Sequence, residues 1–61
     1  MKELTKHVVY DTRTMKALTR ELKSYNNAEL LSTRKPNSAV GYVLYQNGKL
    51  VKTEPEGLKL I

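Results

Sequence analysis

The sequence predicts a small α+β protein, in which an antiparallel sheet of three or four strands carries one helix on one face, in the order β-α-β-β-β. Three observations support this prediction: strand-forming residues at 6–10, a helical period of apolar residues over 12–25, and an Asn-Gly pair between two strand-like runs. The chain of 61 residues is expected to form one domain, residues 1–61. A domain of this size buries only about 60% of the surface that it exposes when unfolded.

The first strand leads directly into the predicted helix. The run KHVVY at residues 6–10 is rich in β-branched and aromatic side chains, which favour strands. Asp11 and Thr12 then offer side-chain oxygens that can accept hydrogen bonds from the first-turn amides of a helix. Four apolar residues follow at helical spacings and share one stripe: Met15, Leu18, Leu22 and Tyr25. Two asparagines come next, and asparagine tolerates the left-handed conformation that ends helices, so we predict a helix over residues 12–25.

Residues 28–34, with the sequence AELLSTR, fit either a further helical turn or a strand. The Lys35-Pro36 step that follows favours an extended segment, because the residue before a proline avoids the helical region. We therefore predict extended chain here, and the helical alternative stays open.

A hairpin is predicted around Asn47-Gly48, which lies between the runs AVGYVLY and KLVKT. Both residues can adopt the positive φ angles that a type I′ turn requires. The turn predicts a register with these facing pairs: Gln46 and Lys49, Tyr45 and Leu50, Leu44 and Val51, Tyr42 and Thr53.

Both faces of this hairpin are partly apolar, because side chains alternate across a sheet. One face has Val40, Tyr42, Leu44 and Val51, and the other has Val43, Tyr45, Leu50 and Lys52. A single helix covers one face only, so the second face needs another layer. The C-terminal run GLKLI is one candidate for part of that layer. The others are a second copy of the chain, which would make a homodimer, and a binding partner.

The composition favours an anionic partner. The net charge of +5 suits nucleic acid or an acidic protein surface. The chain has no cysteine, and it has no apolar run long enough for a membrane span or a signal peptide. We expect a cytoplasmic protein that has no disulfide and makes no membrane contact.

Four basic residues repeat with the same helical period as the apolar stripe: Arg13, Lys16, Arg20 and Lys23. They are offset from it by two residues, roughly 200° around a helix, so the predicted helix presents them opposite its buried side. Glu21 has no base three or four residues away, and the repulsion between the bases is therefore not balanced on the helix. This pattern favours contact with phosphates, and a plain solvated face is the alternative.

A second basic spot, Arg34 and Lys35, lies in a predicted surface loop before the hairpin. It would extend the basic surface if the loop lay beside the helix, and otherwise it is a polar turn. Tyr42 and Tyr45 lie on opposite faces of the predicted hairpin, so they do not form one stacking platform for bases.

Catalysis is not expected. His7 is the one histidine, and without cysteine the chain offers neither a metal site of usual spacing nor a Cys-His nucleophile. The three glycines are scattered rather than grouped in a phosphate-binding loop. We expect no catalytic residue, no metal and no cofactor.

The sequence therefore predicts a non-catalytic module that binds DNA or RNA through its phosphate backbone. The expected contacts are Arg13, Lys16, Arg20, Lys23, Arg34 and Lys35. The alternative is a regulatory protein-interaction module, an inhibitor or an adaptor, that docks on an acidic surface of a larger protein. In that case the contact or dimer residues would be Val43, Tyr45 and Leu50, because aromatic anchors dominate interfaces.

Overall fold

The computed structural model describes residues 2–61, which form three strands and one helix. In chain order these are β1 (Glu3–Asp11), α1 (Tyr25–Thr33), β2 (Ser38–Gln46) and β3 (Lys49–Glu54). The strands make one antiparallel sheet with the spatial order β1-β2-β3. The predicted fold class, a small antiparallel sheet with one helix, is confirmed. The element order is β-α-β-β, because the residues after Glu54 form no further strand.

The helix begins where it was predicted to end. Residues 12–24 are not helical, and α1 occupies most of the stretch for which extended chain was predicted. Ser24 is the reason for the start, because its hydroxyl accepts from the backbone N–H of Asn27 at 3.3 Å. The two asparagines thus lie in the first helical turn instead of ending a helix. Among residues 2–61, no helix has the length and apolar character needed to cross a membrane.

Residues 15–22, here called the return segment, run back along the outer edge of β1. The backbone N–H of Leu18 donates to the carbonyl of Val9 at 2.7 Å, and His7 and Leu22 exchange two hydrogen bonds of 2.7 and 2.6 Å. A sheet edge has unpaired backbone groups that need partners, and the return segment supplies them. These tertiary hydrogen bonds outweigh the helical period of the apolar residues, and Leu18 is exposed as a result.

The turn between β1 and the return segment starts like a helix and stops after one turn. Asp11 Oδ1 accepts from the backbone N–H of Arg13 at 2.7 Å, as expected of a capping side chain. The Asp11 carbonyl accepts from the N–H of Met15 at 2.8 Å, which closes one helical turn. Met15 has a φ of 63°, the left-handed conformation, and the chain leaves the helical path there.

The predicted hairpin turn and the first part of its register are confirmed. Asn47 and Gly48 have φ angles of 53° and 81°, and Tyr45 faces Leu50. Beyond this pair the predicted register is wrong, because a β-bulge adds one residue to β3, so that Leu44 faces Lys52 instead of Val51. Tyr42 likewise faces Glu54, and the ammonium of Lys52 lies 5.9 Å from the centre of the Tyr42 ring.

The sheet is covered on both faces by different parts of the chain. On the helix face, α1 packs across β1 and β2, where Val9 and Ala28 are fully buried. On the opposite face, here called the C-terminal face, Val8, Val43 and Leu58 form a core cluster. Tyr10, Ala17, Tyr45 and Leu60 pack against that cluster. Of the candidate layers for the second face, the C-terminal run thus covers the part around Val43.

Gly41 lets the last residues cross the sheet. A Cβ atom at this position would overlap the carbonyl oxygen of Glu54 and crowd Pro55. Because glycine has no side chain, the chain passes directly over β2 after β3 ends. This crossing delivers Leu58 to the core.

Candidate nucleic-acid interface

The bases of the return segment, and Lys23 directly after it, do not lie on a helix face, and this part of the prediction is wrong. Lys16, Arg20 and Lys23 are exposed, whereas Ala17, Thr19 and Glu21 are partly buried. This alternation is the pattern of extended chain. At about 3.3 Å per residue, Lys16 and Arg20 lie at most roughly 13 Å apart along the segment.

Thr19 fixes the shape of the return segment around Arg20. Tyr10 pairs with Ala17, and His7 pairs with Leu22. Between these two pairs the return segment advances by five residues while β1 advances by three. The two extra residues form an outward bulge. The Thr19 hydroxyl accepts from the N–H of Val9 at 3.2 Å and donates to the Arg20 carbonyl at 3.0 Å. One side chain therefore satisfies a buried strand amide and holds the bulge that exposes Arg20.

Lys59 is a base that the sequence analysis missed. It pairs in parallel with Lys16, since its N–H donates to the Met15 carbonyl at 2.8 Å and its carbonyl accepts from the Ala17 N–H at 2.7 Å. Directly paired residues point to the same side of a sheet, on chains about 4.8 Å apart. Two exposed lysines thus stand side by side. No local pattern signals this pairing, because the two residues come from distant parts of the chain.

Arg13, Arg34 and Lys35 lie together at the end of the sheet where β1 ends and β2 begins. The backbone N–H and the hydroxyl of Thr12 both donate to the Asn37 carbonyl, at 2.9 and 3.0 Å. This contact ties the turn of Arg13 to the loop of Arg34 and Lys35, and all three bases are exposed. The loop thus lies beside the turn after β1, and the helix face expected there is absent.

Few of the bases are neutralised within the protein. Arg13 Nε lies 3.7 Å from Asp11 Oδ1, which is the one ion pair in the described part of the chain. The sequence has eleven lysines and arginines, so ten of them have no ion pair within residues 2–61. The Arg13 N–H, and then its guanidinium, also hold the pKa of the Asp11 carboxyl below its ordinary value.

The acids near the interface have other partners. Glu21 Oε1 accepts from the hydroxyl of Tyr45 at 2.5 Å, and Glu3 Oε1 accepts from the side-chain amide of Gln46 at 2.9 Å. The Glu21 carboxylate favours the neutral phenol and so raises the pKa of Tyr45. Within residues 2–61, Lys16, Lys59 and Arg20 form no ion pair with any carboxylate.

The residues predicted for a partner or dimer contact separate into two groups. Val43 is 0% exposed and belongs to the core, so its assignment to a contact surface is wrong. Tyr45 is half-buried, and Leu50 is exposed. Leu4, which the sequence analysis did not select, faces Tyr45 from β1 and is also exposed.

His7 has a structural environment. Its ring makes an edge-on contact with the ring of Tyr25, with 5.4 Å between the ring centres, and its backbone pairs with Leu22. Residues 2–61 contain no group of three histidine or acidic side chains arranged to hold a metal ion.

No protein-family model, no curated protein and no solved structure matches this chain. The function is therefore inferred from the residues and their geometry.

Proposed function

We propose that this protein is a small non-catalytic module that binds nucleic acid through the phosphate backbone. The contacts are the exposed bases of the return segment and of the neighbouring loops: Arg13, Lys16, Arg20, Lys23, Arg34 and Lys35, joined by Lys59. The observation that carries the proposal is that all of these except Arg13 lack an ion pair within residues 2–61.

The pairing of Lys16 with Lys59 is the strongest single support. Like charges directly opposite each other destabilise a sheet by a few tenths of a kcal/mol or more. An anion between the two ammonium groups would remove that repulsion. Phosphate suits this position, because lysine is a compact point charge for it, and Arg20 adds a guanidinium that can contact it in bidentate fashion.

The arrangement also suits a long polyanion better than a single small anion. The bases follow an extended chain along one sheet edge and continue onto the loops at its end, so they form a ridge and not a pocket. A ridge of this kind can contact successive phosphates of DNA or RNA. We place the protein in the cytoplasm, where both are accessible and where its lack of cysteine is ordinary.

The proposal is tested by fluorescence anisotropy with labelled single-stranded and duplex DNA and RNA at several salt concentrations. Four phosphate contacts on a single strand would give a slope of about −3 in a plot of log K against log salt, because each neutralised phosphate releases counterions. Absence of binding at low salt to all four probes would refute the proposed function.

Lys16→Glu is the sharpest variant. It places opposite charges across the Lys16–Lys59 bridge, so the fold is expected to keep or gain stability while nucleic-acid binding weakens several-fold and the salt slope decreases by about 1. Lys49→Glu is the matched control, because it makes the same charge change on β3, which lies at the opposite edge of the sheet. Equal losses from both variants would show that net charge, and not this surface, governs binding.

A further inference from the structure

Three apolar side chains form a row across the C-terminal face beside the hairpin turn. Leu4 of β1 faces Tyr45 of β2, and Tyr45 faces Leu50 of β3, so the row crosses the whole sheet. Leu4 is 47% exposed and Leu50 is 44% exposed. Because the C-terminal residues cover only the part of this face near Val8 and Val43, the row continues the core outward without a cover.

A trough runs from this apolar row toward the end of the chain. One depression of about 470 Å³ is lined by Lys2, Leu4, Lys6, Glu21, Tyr45 and Gly48. A second, of about 460 Å³, shares Lys6 and Glu21 with it and is lined further by Thr19, Arg20, Leu60 and Ile61. The shared residues place the two depressions side by side, with apolar side chains in each, and together they are called the trough.

Tyr45 is held rigidly at the centre of the trough. Its ring packs against the core cluster, its hydroxyl donates to Glu21, and the ammonium of Lys6 lies 5.9 Å from its ring centre. A side chain fixed in this way loses little entropy on binding, which is a property of the aromatic anchors of interfaces.

We propose that this trough binds a segment of another protein in which apolar side chains alternate with carboxylates. The apolar row and Ile61 offer area for the apolar side chains, and Lys2, Lys6 and Arg20 offer positive charge at the rim. Glu21 is the one acidic side chain that lines the trough, against three basic ones, so the lining side chains carry a net positive charge.

Charge argues against the other occupants. In a two-fold dimer the same patch meets itself, so two sets of Lys2, Lys6 and Arg20 would enter one interface with only two copies of Glu21. A nucleic acid would gain from the lysines but not from the leucines, which have no flat ring for a base to stack on. The trough shares Arg20 with the proposed nucleic-acid contacts, but Lys16 and Lys59 do not line it, so variants at Lys16 test the two proposals separately.

The test is a nuclear magnetic resonance titration of the ¹⁵N-labelled protein with a short synthetic peptide in which leucine alternates with glutamate. We expect amide shift changes that centre on Leu4, Lys6, Tyr45 and Leu50, and weaker binding at higher salt. Leu50→Asp should weaken peptide binding at least about tenfold, the loss typical of a hot-spot residue. A peptide with lysine in place of glutamate should not bind.

Leu30→Asp is the matched control, because Leu30 is 53% exposed on α1, away from the trough, and should leave peptide binding unchanged. Lys16→Glu should also bind the peptide normally, which separates this proposal from the nucleic-acid proposal. The proposal is overturned if millimolar peptide causes no shifts or shifts elsewhere. It is overturned in favour of a dimer if shifts at the row depend on protein concentration alone, and in favour of nucleic acid if a short oligonucleotide perturbs the row.

Discussion

Tyr45 joins the core to the surface through the two ends of its side chain. The ring packs against the cluster of Val8, Val43 and Leu58, while the hydroxyl reaches the carboxylate of Glu21 at 2.5 Å. Because the carboxylate accepts a hydrogen bond from the neutral phenol and would repel the phenolate, the folded protein favours the neutral form of Tyr45, and its pKa is raised. The hydrogen bond therefore links β2 to the return segment only while the phenol keeps its proton.

This hydrogen bond predicts that the free energy of unfolding depends on pH in the alkaline range. Since the folded pKa of Tyr45 exceeds the unfolded value of about 10, the stabilisation is fully present below pH 10 and is lost as pH rises through the folded pKa. Glu21→Gln should lower the pKa of Tyr45, because the amide oxygen can still accept the hydrogen bond but carries no negative charge. The measurement is the ¹³C ring shift of Tyr45 as a function of pH.

Glu29→Gln provides the control for that titration, because Glu29 is an exposed carboxylate on α1. It should leave the Tyr45 titration unchanged. A Tyr45 pKa that does not respond to Glu21→Gln would contradict the assigned cause.

At the scale of the element, α1 depends on Ser24, the residue that caps its N-terminus. Helices of nine residues are marginal on their own, so the cap and the packing decide whether the helix forms. Ser24 has extended backbone angles and its side chain accepts from the first turn. The packing side of α1 is small, because Ala28 is its one fully buried residue.

Ser24→Ala should therefore lower the free energy of unfolding by about 1 kcal/mol, the usual cost of losing a capping side chain. Asn26→Ala is the control in the same turn, because Asn26 is exposed and alanine has the higher helix propensity. It should be neutral or slightly stabilising. Urea unfolding followed by circular dichroism measures both, and equal effects would mean that the cap does not determine where α1 begins.

The elements that could be predicted from sequence are those that local chemistry determines. The first strand and the Asn47-Gly48 turn follow from residue types and backbone preferences, and both are confirmed. The helix was predicted at the wrong place because residues 15–22 form backbone hydrogen bonds with the edge of β1. Those hydrogen bonds depend on the folded sheet, so the local sequence does not indicate them. Tertiary hydrogen bonds then outweigh a period of four apolar residues.

The candidate site was predictable to the same extent. The residue types alone indicate that lysines and arginines lie on the surface, and all six bases predicted to contact nucleic acid are exposed. The sequence does not indicate that Lys59 joins Lys16 or that Leu4 joins Tyr45, since both pairs depend on chain crossings. The burial of Val43 was missed for the same reason, because Leu58 covers it from the far end of the sequence.

At the scale of the whole molecule, stability comes from two thin layers on one sheet. The fully or nearly buried apolar residues are Val8, Val9, Ala28, Val43 and Leu58. Val9 and Ala28 belong to the helix face, and the others belong to the C-terminal face. With so small a core, the loss of one layer removes a large share of the total stability.

Gly41→Ala should displace the C-terminal layer selectively, because its Cβ would overlap the Glu54 carbonyl. A cost of about 1–3 kcal/mol is expected for such overpacking. Hydrogen exchange locates the effect: the Lys59 amide, which donates to Met15, should lose protection. The His7 amide, which donates to Leu22 on the far side of the segment, is the internal control and should lose less. Equal loss at both amides would mean that the whole fold opens instead.

The parallel bridge between Lys16 and Lys59 couples ligand binding to the closure of the molecule. It fastens the last residues, which cover Val43, to the return segment, which covers the edge of β1. A phosphate bound by both lysines would stabilise the contact between these two segments, because a ligand that binds only the folded state stabilises that state. Salt then has opposite effects on the two forms of the protein. In the free protein, salt screens the repulsion between Lys16 and Lys59 and so stabilises the contact between the two segments. In the bound protein, salt weakens phosphate binding and so reduces the stabilisation that the phosphate provides.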